Sequence, residues 1–265
     1  MKTALLYQYF LNCNSVCTDT RKITENCIFF ALKGENFDAN TFATTAIEKG
    51  AKYAVIDNPN YEIEGKTILV QDTLVALQKL ANFHRKQLHS KIIALTGSNG
   101  KTTTKELIHA VLSKRHNTIA TIGNLNNHIG VPLTLLRLTN ETEIGIIEMG
   151  ANHQKEIEFL CEIAAPDFGY ITNFGKAHLE GFGGVAGVIK GKSEMYTFLQ
   201  NKNKLVFVNL DDAIQEEKTK QEEEIFLNEL KSENLVLAVS DNENIAIEPY
   251  IAYYQFLFCR FVSGE

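Results

Sequence analysis

The rhythm of apolar residues changes near residue 90. Before it, "CIFFAL" (27–32), "KYAVID" (52–57) and "KTILVQ" (66–71) are short apolar runs separated by Gly, Asn, Asp and Pro, the pattern of strands closed by turns. From Asp72 onward Leu74, Leu77, Ala81, His84 and Leu88 recur at spacings of three and four, which predicts a helix with one buried stripe leading into a second unit. Beyond it, "KIIALT" (91–96), "EIGIIEM" (143–149), "DFGYITN" (167–173) and "KLVFVN" (204–209) are continuous apolar runs of the kind buried in a parallel sheet. Helical spacing fills the intervals at 101–115, 152–163 and 184–199.

This alternation predicts an α/β protein: a small N-terminal α/β domain over residues 1–88, then a doubly wound, mostly parallel domain over 89–212. Residues 213–265 behave differently. "EEKTKQEEE" reads as a solvated helix or linker, and "NLVLAVS" and "YIAYYQFLFCRF" are strand-like but too little chain to complete another domain. The expectation is an incomplete second domain.

Composition narrows the function only slightly. An apolar content of 45% and a charged content of 22% are ordinary for a soluble globular protein. A net charge of -6 gives no reason to expect nucleic acid. The five cysteines are odd in number and lack CxxC spacing, so free thiols in a reducing cytoplasm are expected rather than a disulfide framework or zinc site. "MKTALLYQYFL" lacks the form of a signal peptide, no run of about 18 apolar residues suggests a membrane span, and a cytoplasmic monomer is expected.

"LTGSNGKTTTKE" (95–106) changes the picture. A glycine-rich turn between strand and helix aims backbone N–H groups at one point, where the helix dipole also favours negative charge. Gly97 and Gly100 permit the tight turn, Lys101 can reach phosphates, and the Thr102 hydroxyl can ligate Mg2+. Leu95 stands where the strict GxxxxGKT motif has its first glycine, so the loop is a shorter TGxxGKT variant. Leu107, Ile108, Val111 and Leu112 are expected to form the buried face of the following helix.

Other strand ends add candidates. Glu148 closes an apolar strand at the edge where α/β sheets bind ligands, and an acid there beside a phosphate loop suits Mg2+. His178 follows another such strand. On helix 184–199, Val185, Val188, Ile189, Tyr196 and Leu199 define a buried face that also includes Lys192, whereas Lys190 falls on a polar face where Glu194 can pair with it. A buried amine must be paired, neutral or modified; the alternative is a stem lying on apolar surface with its amine in water.

At these residues the chain resembles the Mur ligases, the ATP-dependent amide-forming enzymes of peptidoglycan synthesis. The resemblance rests on "TDTRK" (18–22), "FFALKGENFDAN" (29–40), "LTGSNGKTTTKE", "GNLNNHIGVPLTLLRL" (123–138), "IIEMGANHQKEI" (146–157) and "AHLEGFGGVAGVIKGKSE" (177–194), and runs in order to about residue 212. It implies that residues 1–88 bind the UDP end of a UDP-N-acetylmuramoyl-tripeptide, with Thr20, Arg21, Lys33 and Gly34 as contacts. Asn126 and Asn127 would meet the sugar-peptide. ATP would lie on Gly97, Ser98, Asn99, Gly100, Lys101, Thr102, Thr103 and Asn124. Thr102 and Glu148 would hold one Mg2+ and His178 a second, with Lys192 as a metal-bridging carbamate; Lys101, His178 and Lys192 would be catalytic.

The implied reaction activates the tripeptide carboxylate as an acyl phosphate, which the amine of D-Ala-D-Ala displaces. The family's adenine-binding segment and C-terminal domain are not recognisable here, which predicts weak or absent turnover by this chain alone. Three other readings remain at this point: a different Mur-type ligase, a non-catalytic fragment that binds only the UDP-sugar substrate, and a regulatory P-loop GTPase. The missing NKxD motif disfavours the last, and the "TDTRK" unit disfavours a folylpolyglutamate synthetase.

Overall fold

A computed structural model describes residues 1–176, 178–209 and 212–218 in full, and the backbone of Ala238–Val239. The chain opens with helix α1 (Thr3–Leu11). Strands β1 (Val16–Cys17) and β2 (Ile28–Phe30) follow, then the hairpin β3 (Lys33–Gly34) and β4 (Phe37–Asp38). Helix α2 (Ala43–Glu48), strands β5 (Tyr53–Ile56) and β6 (Thr67–Leu69), and helix α3 (Thr73–Gln87) complete the first part.

The second part runs β7 (Lys91–Thr96), α4 (Lys101–Leu112), β8 (Thr118–Ala120), α5 (Gly130–Leu135), β9 (Ile144–Glu148) and α6 (Glu156–Ala164). It continues through β10 (Phe168–Ile171), α7 (Leu179–Phe182), α8 (Val185–Asn201), β11 (Leu205–Asn209) and β12 (Ala238–Val239).

Among the described residues the chain forms two larger sheets, both wholly parallel. One has the order β1-β2-β5-β6 and the other β12-β11-β10-β7-β9-β8. The α/β class predicted from the alternating pattern is the observed one. The larger sheet is buried on both faces, which is why its strands are continuously apolar: Ile92, Ala94 and Ile147 pack into one cluster, Ile93, Ile144 and Ile146 into another. Helices α3, α5, α6 and α8 cover the first of these faces, and α4 lies on the second.

Helix α3 belongs to both parts. Leu77, Leu80 and Ala81 are fully buried and share one cluster with Leu6 and Phe10 of α1, Phe30 and Val55 of the first sheet, and Leu135 and Leu160 beyond it. Arg85, near its C-terminus, donates to Asp167 at 2.7 Å, and the same carboxylate accepts the Ile92 N–H and pairs with Lys204. Residues 3–11, for which no element was expected, are a helix because Leu6 and Phe10, four apart, dock on this core.

Strand order decides where a ligand can lie. After β9 the chain crosses over β7 to lay down β10 on its other side, so β7, β9 and β10 meet at a topological switch point, and the crevice outside their carboxyl ends is the expected binding place. "YIAYYQFLFCRF", Cys259 and the run "EEKTKQEEE" beyond residue 218 lie outside the described residues, while β12 falls within "NLVLAVS". Cys13, Cys17, Cys27 and Cys161 are free thiols. Among the described residues no helix is long and apolar enough to cross a membrane.

Candidate functional site

The loop after β7 is built for close approach of a ligand. Gly97 has φ 142°, and a Cβ there would collide with the Thr172 hydroxyl. Gly100 has φ 77°, a left-handed turn that delivers the chain into α4. The amides of the first turn of α4 have no intrahelical carbonyl to meet and face the turn. The loop is stitched to the end of β10: Ser98 N–H donates to the Asn173 carbonyl at 3.0 Å, Thr172 Oγ1 to the Asn99 carbonyl at 2.6 Å and Ser98 Oγ to the Gly175 carbonyl at 2.7 Å. Lys101 Nζ donates to the Gly97 and Ser98 carbonyls. Burial pushes its pKa down, against the attraction of Glu148.

Glu148 ends β9 almost wholly buried, at 1% exposure. Its Oε1 accepts from Thr102 Oγ1 at 3.3 Å and Asn126 Nδ2 at 2.8 Å, while Oε2 is buried without a hydrogen-bond partner. A buried, unpartnered carboxylate oxygen beside a threonine hydroxyl at a phosphate loop is a place that a hard cation would complete. Among the described residues no three His, Cys, Asp or Glu side chains are grouped as metal ligands, so a cation here would take its remaining oxygens from phosphate and water, the usual habit of Mg2+.

A cavity of about 590 Å³ opens beside the loop. It brings together Lys101, Asn124, Asn126, Asn127 and His178 with His128, Asn152, Glu156 and Phe159. Asn126 is held by its own carbonyl, which accepts the Gly150 N–H at 2.8 Å. The Asn127 side chain instead accepts the Ile129 and Gly130 amides and so caps α5. His178 is an exposed residue at φ 54° at the start of α7. Thr103, also exposed, follows Thr102 in the first turn of α4.

Lys192 is buried to 1% exposure, as the periodicity of α8 predicts. Its Nζ donates to the carbonyl of the cavity residue Ala151 at 3.3 Å and lies 5.2 Å from the centre of the Phe182 ring. Burial, and then the charge of Lys101, push its pKa down to about 8, partly offset by Glu156 and Glu194. Gly191 makes room for Phe182, whose ring a Cβ there would strike.

Two expectations on this helix are corrected. Val185 is 41% exposed because it opens the helix beyond the packed turns. Glu194 does not serve Lys190: its two oxygens accept the N–H groups of Lys155 at 2.6 Å and Glu158 at 3.1 Å, satisfying the start of α6.

Thr20, Arg21, Lys33 and Gly34 lie in the first part and do not line this cavity. Arg21 is paired with Asp19 at 2.8 Å and its side chain is 86% exposed. The Thr20 carbonyl accepts from Lys49. Lys33 pairs with Asp57 at 2.6 Å, and the buried Asn40 bridges Asp57 to Asp38 beneath the hairpin that carries Gly34. Asp57 and Asn40 carry no local signature because their meeting depends on strand pairing. Glu156, which lies within "IIEMGANHQKEI", makes local contacts instead: its Oε2 accepts the Asn152 and His153 amides. These amides overcome the effect of burial and hold the Glu156 carboxyl below the usual range.

Comparison with known proteins gives the family of the chain. The family model described as the Mur ligase middle domain matches residues 95–248, which extends past residue 212, where the motifs of the resemblance end. The UDP-N-acetylmuramoyl-tripeptide–D-alanyl-D-alanine ligase of Escherichia coli is 46% identical over 199 residues, 75% of this chain and 44% of that protein. A crystal structure of MurF from Acinetobacter baumannii superposes with a TM-score of 0.74 at 33% identity, covering 91% of this chain and 53% of that one. MurF ligase from Thermotoga maritima in complex with ADP superposes with a TM-score of 0.71 at 29% identity, over 80% and 49% of the two chains. The chain thus spans about half the length of the relatives it matches or less. With the Mur ligase middle domain matched over residues 95–248, more than half of its length, this chain belongs to the Mur ligase family.

Proposed function

We propose that the chain carries the UDP-substrate-binding and nucleotide-binding parts of an ATP-dependent, cytoplasmic ligase that adds D-Ala-D-Ala to UDP-N-acetylmuramoyl-tripeptide, working as a monomer. The observation that carries the reading is the meeting of Lys101, Thr102, Glu148 and Asn126 at one end of one sheet, with the Glu148 Oε2 oxygen left unpartnered. Bound ATP supplies a phosphoryl group that turns the tripeptide carboxylate into an acyl phosphate, from which the dipeptide amine displaces phosphate.

The chain's own contribution is positioning and charge neutralisation, which phosphoryl transfer needs more than a protein nucleophile. Gly97, Ser98, Asn99, Gly100 and Thr103 present the loop, Lys101 neutralises phosphate, and Asn124 borders the phosphates. Thr102 and Glu148 are the residues that would hold Mg2+. His178 and Lys192 would serve a second cation, and the pKa of about 8 leaves part of the Lys192 amine neutral and able to react with CO2. Thr20, Arg21, Lys33 and Gly34 would face the UDP end, and Asn126 and Asn127 the sugar-peptide.

Calorimetry on the full chain tests this. Mg-AMP-PNP and UDP-N-acetylmuramoyl-tripeptide should each bind, and Lys101→Ala should weaken the nucleotide by about 10-fold or more, the worth of a hydrogen bond to a charged group, without weakening the UDP substrate. A chain that takes up the UDP substrate but gives no heat with the nucleotide would be a substrate-binding module and not a ligase part. Phosphate release that requires D-Ala-D-Ala measures turnover directly.

A further inference from the structure

Helix α4 turns Lys105, and not Leu107, to the sheet. Lys105 is fully buried, on the face shared with Lys101, Ile108 and Leu112, whereas Leu107 is 63% exposed. Taking an ammonium out of water is unfavourable, and an apolar side chain would fill the same place without that penalty. The amine is held by two partners: it donates to the Thr121 carbonyl at 2.7 Å and pairs with Glu106 at 2.8 Å.

Thr121 leads to the candidate cation site. It follows β8, is 1% exposed, and its N–H donates to the Ile146 carbonyl of β9. Its Oγ1 accepts the N–H of Glu148 at 3.0 Å. Helix α4 therefore grips Glu148 at two points: directly through Thr102, and one turn later through Lys105 and Thr121. One Glu148 oxygen lacks a partner and the other is also held by Asn126 at 2.8 Å, so these ties share with Asn126 in setting its aim.

We propose that Lys105 is a positioning residue for the cation: by tying Thr121 to the helix that begins at the glycine-rich loop, it fixes where Glu148, which would hold the cation, stands relative to that loop. This rests on the reading of the loop as a Mg-nucleotide site. Lys105 itself touches neither ligand.

The test is the dissociation constant of AMP-PNP for the full chain, measured in excess Mg2+ and again in EDTA; the ratio of the two reads the coupling between cation and nucleotide. Lys105→Met should shrink that ratio by about 10- to 100-fold, the range seen when an outer partner of a metal ligand is removed. Lys105→Arg, which can still donate to the Thr121 carbonyl, should keep most of it. A purely structural lysine would weaken both constants together and leave the ratio as in the wild type, which would overturn the proposal. If Lys105→Met does not fold, Thr121→Val removes the acceptor of the Glu148 N–H and must shrink the ratio in the same sense; an unchanged ratio there overturns the proposal equally. A wild-type chain that binds no AMP-PNP in either buffer sinks the nucleotide-site reading first, and this inference with it.

Discussion

The phosphate loop depends on single residues whose backbone leaves no room for substitution. Gly97→Ala would place a methyl group against the Thr172 hydroxyl at a φ of 142°. The Thr172–Asn99 hydrogen bond of 2.6 Å that closes the loop on β10 would have to give way. A loss of about 1–3 kcal/mol is expected, visible as a lower urea midpoint, together with loss of Mg-AMP-PNP binding by calorimetry. Unchanged nucleotide affinity in that variant would show that the tight turn is not needed for phosphate. The loop was legible as a sequence because its glycines, lysine and threonine are contiguous. Asn40, Asp57 and Thr121 were not, because Asn40 meets Asp57, and Thr121 meets Glu148, only once separate elements have packed.

At the scale of elements, apolar periodicity found α3, α4, α6 and α8 but not α1, α2, α5 or α7, and not always the face that packs. For α4 the expectation put Leu107 inside; the helix instead rolls so that Lys105 faces the sheet with Ile108 and Leu112, and Leu107 the solvent, since helical spacing leaves several adjacent rotations open and the observed one also lets Lys105 reach Thr121. Helix α3 followed its stripe, with Leu77, Ala81 and His84 buried. His84 spans two neighbours, Tyr7 of α1 and the Leu138 carbonyl. Burial lowers its pKa below 6.5, only partly countered by the Leu138 carbonyl. The unfolded chain therefore binds a proton at a higher pH than the folded one, so the stability present above pH 6.5 falls as the pH drops through that value toward the folded pKa. Urea unfolding at about pH 7.5 and about pH 5.5 should show the wild type weaker in acid and His84→Gln with a shallower slope. Equal slopes for the two proteins would assign the dependence to other groups.

Across the whole molecule, the two parallel sheets are joined by more than a linker, because α3 sits in one apolar cluster with residues from both. Leu77→Ala should therefore destabilise by about 2–5 kcal/mol, and hydrogen exchange should show β5 and β9 losing protection together. Loss confined to β5 would mean that the two parts open independently. The alternation of apolar runs with helical spacing determined from sequence alone that the chain is α/β with a parallel sheet, because buried parallel strands must be apolar on both faces and each crossover needs a helix. The contiguous loop likewise raised the expectation of phosphate chemistry, because its backbone geometry is local. The strand order that brings Glu148, His178 and Lys192 toward that loop, the roll of α4 that buries Lys105, and the reassignment of Glu194 to the start of α6 were decided only by the tertiary structure. These depend on contacts between residues tens of positions apart, where no short-range pattern records which partner a polar group will meet.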